Sequence, residues 1–380
     1  MTDAERPLIS KAARARPTVA AWLFASAFMV AAMIVIGGIT RLTESGLSMV
    51  EWRPLIGWIP PLGDAEWDRV FALYQKSPEF QRVNSWMDLP AFKTIFFWEY
   101  AHRVWGRLIG VVFALPFAVF VLTGRIERAL VPRLVVLFAL GAAQGAIGWW
   151  MVTSGLADEP RVSPYRLAVH LSMAFLILGL LLWTALGLVS RDRASSSSSH
   201  SRTRSEPGSS LNARLDPGSS AGDAEREKTA KSLHVGASHV LAAIALTIVA
   251  GVFVAGTDAG YAYNSFPLMD GGFVPPGYWA PELGWRTVFE HVPAVQFHHR
   301  WIAVATAVLT LGFVLWARPN APGAARPPLA LLGVMVLAQV GLGIWTLLAV
   351  VPVWLGALHQ GGAVALFSLA VWTLFGLRRG

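Results

Sequence analysis

Eight long apolar stretches, separated by polar segments, dominate the hydrophobic pattern of the chain. Each approaches the roughly 20 helical residues that are needed to cross the hydrocarbon core of a bilayer. Titratable side chains interrupt two of these stretches, at residues 99–107 and 298–300. We therefore predict eight transmembrane helices, over residues 19–39, 95–123, 134–152, 167–190, 235–256, 295–317, 328–351 and 353–377.

The composition agrees with a membrane protein. Of the 380 residues, 54% are hydrophobic and only 14% are charged, whereas soluble domains average about 25% charged residues. A soluble enzyme and a largely disordered chain are thereby both excluded. Cysteine is absent, which excludes disulfides, thiolate catalysis and cysteine-ligated metal sites.

The distribution of positive charge predicts the orientation in the membrane. The connecting segments and tails at one face carry 19 Lys and Arg residues. The connections at the other face, 40–92, 153–166 and 257–294, carry 8, against 13 Asp and Glu residues. The positive-inside rule then places both termini in the cytoplasm. Because this asymmetry accounts for the net charge of +8, we expect contact with membrane lipid and no nucleic-acid partner.

A polar segment divides the chain in two. Residues 194–231 are of low complexity, with five consecutive serines and two Pro-Gly-Ser-Ser units. Such a composition cannot bury enough apolar surface to fold, so a disordered cytoplasmic linker is predicted. The predicted organisation is a cytoplasmic tail, a first four-helix bundle, the linker and a second bundle, over residues 1–18, 19–190, 191–233 and 234–380.

The two halves also resemble each other in sequence. Three short patterns recur in the same order, at offsets between 189 and 197 residues. They pair Ala143-Gln144 with Ala338-Gln339, Glu99-x-x-His102-Arg103 with Gln296-x-x-His299-Arg300, and Ala168-Val169-His170 with Ala357-Leu358-His359. Because each half contains four helices, both copies enter the membrane in the same direction. We predict an all-α membrane protein in which eight transmembrane helices form two pseudo-symmetric four-helix bundles, a parallel tandem repeat.

Four of the nine histidines recur at matching positions in the two halves. In each half, one lies on the second helix and one on the fourth, both in the outer part of the membrane. Titratable groups are costly there and are usually functional. Each pair could grip a flat ligand from both faces, for which bis-histidine haem is the natural candidate, whereas zinc requires three or four close ligands. The predicted metal ligands are His102 and His170 in the first half and His299 and His359 in the second, with His298 a weaker alternative to its neighbour.

Four arginines near the predicted ligands have two interpretations. Arg103 and Arg300 directly follow histidines and either extend to the lipid headgroups or neutralise haem propionates. Arg41 and Arg166, at the outer ends of their helices, could bind propionates in the same way. All four are therefore candidate cofactor-binding residues.

The two halves differ at one informative position. Glu99 shares a helix face with His102, and its counterpart in the second half is Gln296, which cannot ionise. A carboxylate buried in a membrane is costly, whereas an amide is not. We therefore predict that the first half catalyses a reaction and that the second holds a resident redox haem. The alternative is that Glu99 only forms a salt bridge with Arg103.

Two motifs resemble those of the heme A synthase family, namely GGITRLTESGLS at 37–48 and EYAHRVWGR at 99–107. The resemblance is closest to the branch shared by alphaproteobacteria and mitochondria, and it covers nearly the whole chain. It implies a protein of the bacterial inner membrane that oxidises the C8 methyl of heme O, through a hydroxymethyl stage, to the formyl group of heme A. Some members carry a cysteine pair in their outer loops, which this chain lacks.

By position, the resemblance assigns the catalytic carboxylate to Glu99, the substrate ligands to His102 and His170, and the ligands of a heme b cofactor to His299 and His359. It also implies heme O synthase and terminal-oxidase assembly factors as partners, and it leaves homo-oligomerisation open. Glu99 would act as a base for water or would stabilise positive charge at the methyl carbon.

Two other functions could use the same ligands. An electron-transfer cytochrome also binds haem between paired histidines, but it has no use for the difference between Glu99 and Gln296. A haem carrier or transporter needs the ligands without turnover. Only conversion of added heme O separates the synthase from both.

Overall fold

The computed structural model describes residues 11–51, 57–156, 160–202 and 218–378. These residues form α-helices, short 3₁₀ turns and connecting loops, without a β-strand. Eight of the α-helices are long and apolar enough to cross a membrane: α1, α4, α5, α6, α7, α9, α10 and α11. The bounds are α1 Lys11–Leu42, α2 Asp64–Tyr74, α3 Pro78–Arg82, α4 Leu89–Leu122, α5 Val131–Thr153, α6 Pro164–Arg202, α7 Gly218–Gly256, α8 Thr287–Glu290, α9 Val292–Ala317, α10 Arg326–Leu348 and α11 Val353–Leu377.

The eight predicted transmembrane segments are confirmed, and several helices extend beyond them. The α4 helix begins ahead of its predicted start because Asp88 caps it, its carboxylate accepting a hydrogen bond from the Ala91 N–H at 2.9 Å. Pro90 occupies the first turn, where a missing N–H costs nothing. The α1 helix begins at Lys11 because the residues before its apolar run are mostly Ala, Lys and Arg, which favour helix.

The structure differs from the disordered linker predicted for residues 191–233. Helix α6 continues through Arg202, and α7 begins at Gly218. Extending an existing membrane helix requires no new nucleation, and residues 223–231 are rich in helix-forming Ala, Glu, Arg and Lys. The rest of the predicted linker, 203–217, lies outside the described residues, as do residues 1–10 of the predicted tail.

Helices from the same half are neighbours. In the first half, α1 packs on α4 and α6, and α5 packs on the same two helices. In the second half, α7 and α10 each pack on α9 and α11. The halves meet where α1 and α6 contact α11 and where α6 contacts α7.

The largest cluster of buried hydrophobic side chains extends across the contact between the halves. Phe175 packs edge-on against Phe367, and Trp183 against Phe375, with ring centroids 5.2 Å apart in both pairs. Within the most apolar window of each helix, 50% of α11 and 44% of both α1 and α6 is buried, compared with 11% of α4 and α5. The peripheral helices therefore present most of their surface to lipid.

Two connections fold over the ends of the spans. We call residues 43–51 and 57–88, between α1 and α4, the first cap, and residues 257–291, between α7 and α9, the second cap. The first cap contains α2 and α3, which the sequence analysis did not predict. Its Tyr74 is fully buried and stacks on Phe92 of α4, with ring centroids 5.0 Å apart. This aromatic contact fixes the cap on the first turns of α4.

Candidate functional site

In the first half, the structure brings the two predicted ligands together. His102 of α4 packs on α1, where a Cβ atom at Gly37 would lie 3.3 Å from His102 Nε2. His170 of α6 packs on α5, where a Cβ at Gly148 would lie 2.9 Å from His170 Cε1. Both rings are half-buried, and they are close enough to interact electrostatically. Each imidazole thus occupies space that a glycine on the neighbouring helix leaves.

The second half repeats this arrangement. His299 of α9 packs against Gly251 of α7, and His359 of α11 packs against Gly343 of α10. A Cβ at either glycine would lie 2.9 Å from the Cε1 atom of its histidine. The two imidazole centroids are 6.5 Å apart, and the ring planes are nearly perpendicular at 86°.

A matched glutamine supports one histidine of each pair. Gln144 Nε2 donates to the main-chain carbonyl of His170 at 2.9 Å, and Gln339 Nε2 donates to that of His359 at 2.9 Å. The sequence analysis used these glutamines only as markers of the repeat. Their recurrence at one offset of 195 residues was the signal that they support the site.

The geometry of the histidines fits haem. In the second half, ring centroids 6.5 Å apart leave room for one metal atom bonded to a nitrogen of each ring at roughly 2 Å. Among the described residues, the Nδ1 atoms of His170 and His299 are buried without a hydrogen-bond partner, as is that of His234 on α7. The described residues contain no group of three or more His, Asp or Glu side chains that could hold a metal. Paired imidazoles suit axial ligation of haem iron, whereas structural zinc requires four ligands.

Glu99 is buried next to this site, with 3% of its surface exposed. Its Oε1 atom accepts a hydrogen bond from Arg103 Nε at 2.6 Å, so the predicted salt bridge is present. The other oxygen, Oε2, faces the first cap, where a Cβ at Gly46 would lie 4.0 Å away. Arg103 also donates to the carbonyls of Met49 and Glu51, both at 2.9 Å. It therefore fastens the first cap over the carboxylate.

The corresponding pair in the second half has no carboxylate. Gln296 is 4% exposed and donates from Nε2 to the Tyr263 carbonyl at 3.3 Å. Arg300 donates to the same carbonyl at 3.2 Å and to those of Pro267 and Leu268 at 2.9 and 3.0 Å. Arg300 therefore fastens the second cap through main-chain carbonyls.

The other two arginines predicted to bind propionates also have protein partners. Arg41 Nη2 donates to Asp258 Oδ1 at 2.7 Å, an ion pair between the first and second halves. Arg166 Nη1 donates to the Trp150 carbonyl at 2.7 Å, and its guanidinium lies 4.6 Å from the centroid of the Trp150 ring. All four arginines therefore position the caps and helices, and their role in propionate binding stays a prediction.

Three further histidines have partners that explain them without a ligand role. His298 Nε2 hydrogen-bonds with the Tyr278 hydroxyl at 2.8 Å, within the second cap and the start of α9. His291 Nε2 donates to the Gly277 carbonyl at 2.8 Å. His239 Nδ1 donates to a carbonyl one turn back on its own helix, at 2.9 Å.

The first cap also contains a buried carboxylate, that of Glu79. Its Oε2 accepts a hydrogen bond from the Tyr74 hydroxyl at 2.9 Å, and that hydroxyl accepts one from Asn84 Nδ2 at 2.8 Å. Burial raises the pKa of Glu79 to about 7, against the opposing effect of the Tyr74 hydrogen bond. The negative charges of Glu44 and Glu99 also contribute to this increase in the pKa. Glu79 is thus electrostatically linked to the carboxylate beside His102.

A cavity of about 170 Å³ lies under the first cap. Its lining includes the side chains of Glu51, Arg69, Tyr100 and Arg103. Because a water molecule occupies about 30 Å³, the cavity is large enough for several. It therefore offers space for water beside the arginine that holds Glu99.

Comparison with known proteins agrees with this site. Residues 20–371 match the family model COX15-CtaA, described as a cytochrome oxidase assembly protein. A heme A synthase of Paramagnetospirillum magneticum is 47% identical over 363 residues, covering 95% of this chain and 94% of the relative. Those of Rhodospirillum centenum and Rhizobium meliloti are 47% and 41% identical, covering 97% of this chain and 90% and 92% of the relatives. The chain therefore belongs to the COX15-CtaA family of cytochrome oxidase assembly proteins.

Proposed function

We propose that this protein oxidises the C8 methyl of heme O, through a hydroxymethyl stage, to the formyl group of heme A, and that the reaction takes place in the first half. The assignment rests on one observation. Of two positions that match between the halves, only one is occupied by an acidic residue. Both halves hold a histidine pair in the same way, but only the first has a buried carboxylate, Glu99, one turn from a histidine. The relatives named heme A synthase are similar over nearly their whole length.

In this proposal, the histidines divide the binding tasks. His102 and His170 bind the substrate, heme O, and His299 and His359 hold a b-type haem as resident cofactor. When bound, that cofactor supplies a redox centre that accepts and passes on electrons. The glycines beside the imidazoles fix the ring positions, and Gln144 and Gln339 hold the backbone of one histidine in each pair.

Glu99 is the proposed catalytic residue. Its Oε1 is held by Arg103, and this pairing offsets part of the cost of burying the carboxylate. Oε2 remains on the side of the first cap. There it can take a proton from water or stabilise positive charge that develops at the methyl carbon. The cavity lined by Arg103, the partner of Glu99, has space for water.

The proposed setting follows from the helix contacts and the charge distribution. Helices of the same half surround each other, which supports two pseudo-symmetric four-helix bundles related as a parallel repeat. The excess of Lys and Arg at one face supports cytoplasmic termini and haem sites toward the outer face of the bacterial inner membrane. We further propose that the protein receives its substrate from a heme O synthase and acts with terminal-oxidase assembly factors.

Incubation of the purified protein with heme O and an electron acceptor tests the function, with mass analysis of the extracted haem as the readout. We expect heme A to accumulate, and we expect His102→Ala to stop its formation. His239→Ala is the matched control, because this histidine lies on a transmembrane helix away from both pairs. Retention of heme O without conversion by the unmodified protein would instead indicate a cytochrome or a haem carrier.

A further inference from the structure

The connection between α9 and α10 forms a cavity that the proposed reaction does not use. It has a volume of about 310 Å³ and is lined by Val314 and Arg318 from the end of α9 and by Arg326, Leu329 and Ala330 from the start of α10. The cavity therefore combines an apolar wall with two guanidinium groups. Its volume is about ten times that of a water molecule, which leaves room for a phosphodiester group.

The helices that line this cavity supply no carboxylate to balance its positive charge. The chain contains no Asp or Glu after Glu290, so neither α9, α10 nor α11 can supply a carboxylate. The ion pairs found in the described parts of the chain involve neither Arg318 nor Arg326. An anion from outside the protein would therefore meet two available cationic side chains.

The equivalent connection of the first half shows how the protein can neutralise such a region. Between α4 and α5, Glu127 pairs with Arg16 at 2.8 Å and with Arg191 at 3.2 Å. This carboxylate links the connection to α1 and α6 and compensates the arginines around it. The second half lacks such a residue in its connection, which contains Arg318 and Arg326 as its only charged residues.

The cavity is placed where a membrane lipid would reach it. Arg318 immediately follows the transmembrane helix α9, and Arg326 begins the transmembrane helix α10. The Arg326 Nε donates to the Ala321 carbonyl at 3.0 Å, which fixes the direction of its guanidinium. On the neighbouring turn, Leu315 is 71% exposed and Trp316 is 50% exposed, as expected for side chains that contact acyl chains and the headgroup boundary.

We propose that this cavity is a binding site for an anionic phospholipid. The lipid phosphodiester would pair with Arg318 and Arg326, and its acyl chains would lie along Val314 and Ala330 and against the exposed Leu315 and Trp316. Guanidinium groups bind phosphate through charge-assisted hydrogen bonds, and basic pockets between transmembrane helices are typical sites for acidic headgroups. The proposal does not depend on which haem is bound or on the reaction at Glu99.

Native mass spectrometry of the full-length, detergent-purified protein tests the site, with dioleoylphosphatidylglycerol and dioleoylphosphatidylcholine as probes. We expect phosphatidylglycerol to be retained in preference. The double variant Arg318→Gln/Arg326→Gln should bind it roughly ten- to thirtyfold more weakly. The matched control, Arg125→Gln/Arg128→Gln, removes the same charge from the equivalent connection of the first half and should retain the preference.

Each contrary outcome is distinct. Equal retention of the two lipids by the unmodified protein, or equal loss of preference in both double variants, would overturn the site. Displacement of the lipid by millimolar inorganic phosphate would show a general phosphate site and would also contradict the proposal. Thermal unfolding supplies a second readout, because phosphatidylglycerol should raise the Tm of the unmodified protein but not that of Arg318→Gln/Arg326→Gln.

Discussion

The two histidine pairs are held by the same kinds of contact. They differ in the residue that lies one helical turn before the first histidine of each pair. In both halves, a glycine leaves space for each imidazole, and an arginine fastens a cap. In the first half that arginine also pairs with Glu99, whereas in the second half the corresponding position is Gln296. The binding geometry is thus duplicated, while the ionisable group occurs once.

This difference shows how a duplicated scaffold can separate binding from chemistry. A buried carboxylate needs a partner to offset its desolvation, and Arg103 provides it in the first half. In the second half, an uncharged amide occupies the same position and donates one hydrogen bond to the cap, while its Oε1 atom accepts none from the described residues. The catalytic role can therefore be tested by exchanging single side chains while the ligand contacts stay in place.

Replacing the acid should have the largest effect. In Glu99→Gln, the first site acquires the residue type of the second, so we expect conversion of heme O to fall by roughly 100-fold or more. Haem should remain bound, because the histidines and glycines are unchanged. Mass analysis of extracted haem measures conversion, and the absorption spectrum measures retention. Gln296→Glu is the reciprocal control and should convert heme O normally. An active Glu99→Gln protein would remove the proposed catalytic role.

Filling the space beside a histidine should have the next largest effect. A Cβ at Gly148 would come within 2.9 Å of the His170 ring, whereas one at Gly145 would meet nothing within 4 Å. We expect Gly148→Ala to cost about 1–3 kcal/mol through overpacking and to weaken haem retention. Gly145→Ala gains the same helix propensity without the clash. If the two variants retain haem equally, the glycine contact does not shape the site.

The buried carboxylate of the first cap should make stability depend on pH. Burial raises the pKa of Glu79 from 4.5 to about 7, so the folded protein binds this proton more tightly than the unfolded chain does. The free energy of unfolding should therefore decrease as the pH rises from about 4.5 to 7, by at most about 3 kcal/mol. Glu79→Gln should remove this decrease, as measured by thermal unfolding at several pH values.

An exposed carboxylate of the second cap supplies the control for this pH profile. Glu282→Gln should leave the profile of the unmodified protein unchanged. An identical pH profile for Glu79→Gln and the unmodified protein would show that Glu79 does not carry the effect.

The ion pair between the halves should have the smallest effect. Arg41 and Asp258 are each about one-third exposed or less, so a double-mutant cycle with alanine should give a coupling energy below about 1 kcal/mol. Arg286 and Glu290 form a looser pair at 3.6 Å within the second half and should couple less. Thermal unfolding of the single and double variants measures both cycles. A coupling energy no larger than that of the control pair would show that the ion pair of Arg41 does not stabilise the contact between the halves.

The transmembrane helices could be predicted because their signal is local. A run of about 20 apolar residues identifies a span regardless of what it packs against. Helices α2 and α3 gave no comparable signal, since they are short and are held by contacts such as that of Tyr74 with Phe92. The helical parts of the predicted linker were also missed. Its polar composition gives no apolar signal, although the neighbouring helices α6 and α7 extend into it.

The candidate site was predictable to the extent that it is repeated. The four histidines and Glu99 emerged because matching patterns recur at similar offsets. The partners of the arginines could not be predicted, because a long flexible side chain reaches residues that only the fold brings near. The partner of Arg41, Asp258, is 217 residues away in the sequence, and that of Arg166 is the carbonyl of Trp150 on the preceding helix.

Identification of the haems held by two complementary double variants tests the central claim most directly. The protein with His299→Ala and His359→Ala should lose heme b while still binding added heme O. The protein with His102→Ala and His170→Ala should keep heme b and fail to bind heme O. Loss of both haem types in either variant would contradict the proposal that the protein has two separate haem sites. In that proposal, only the first site binds the substrate.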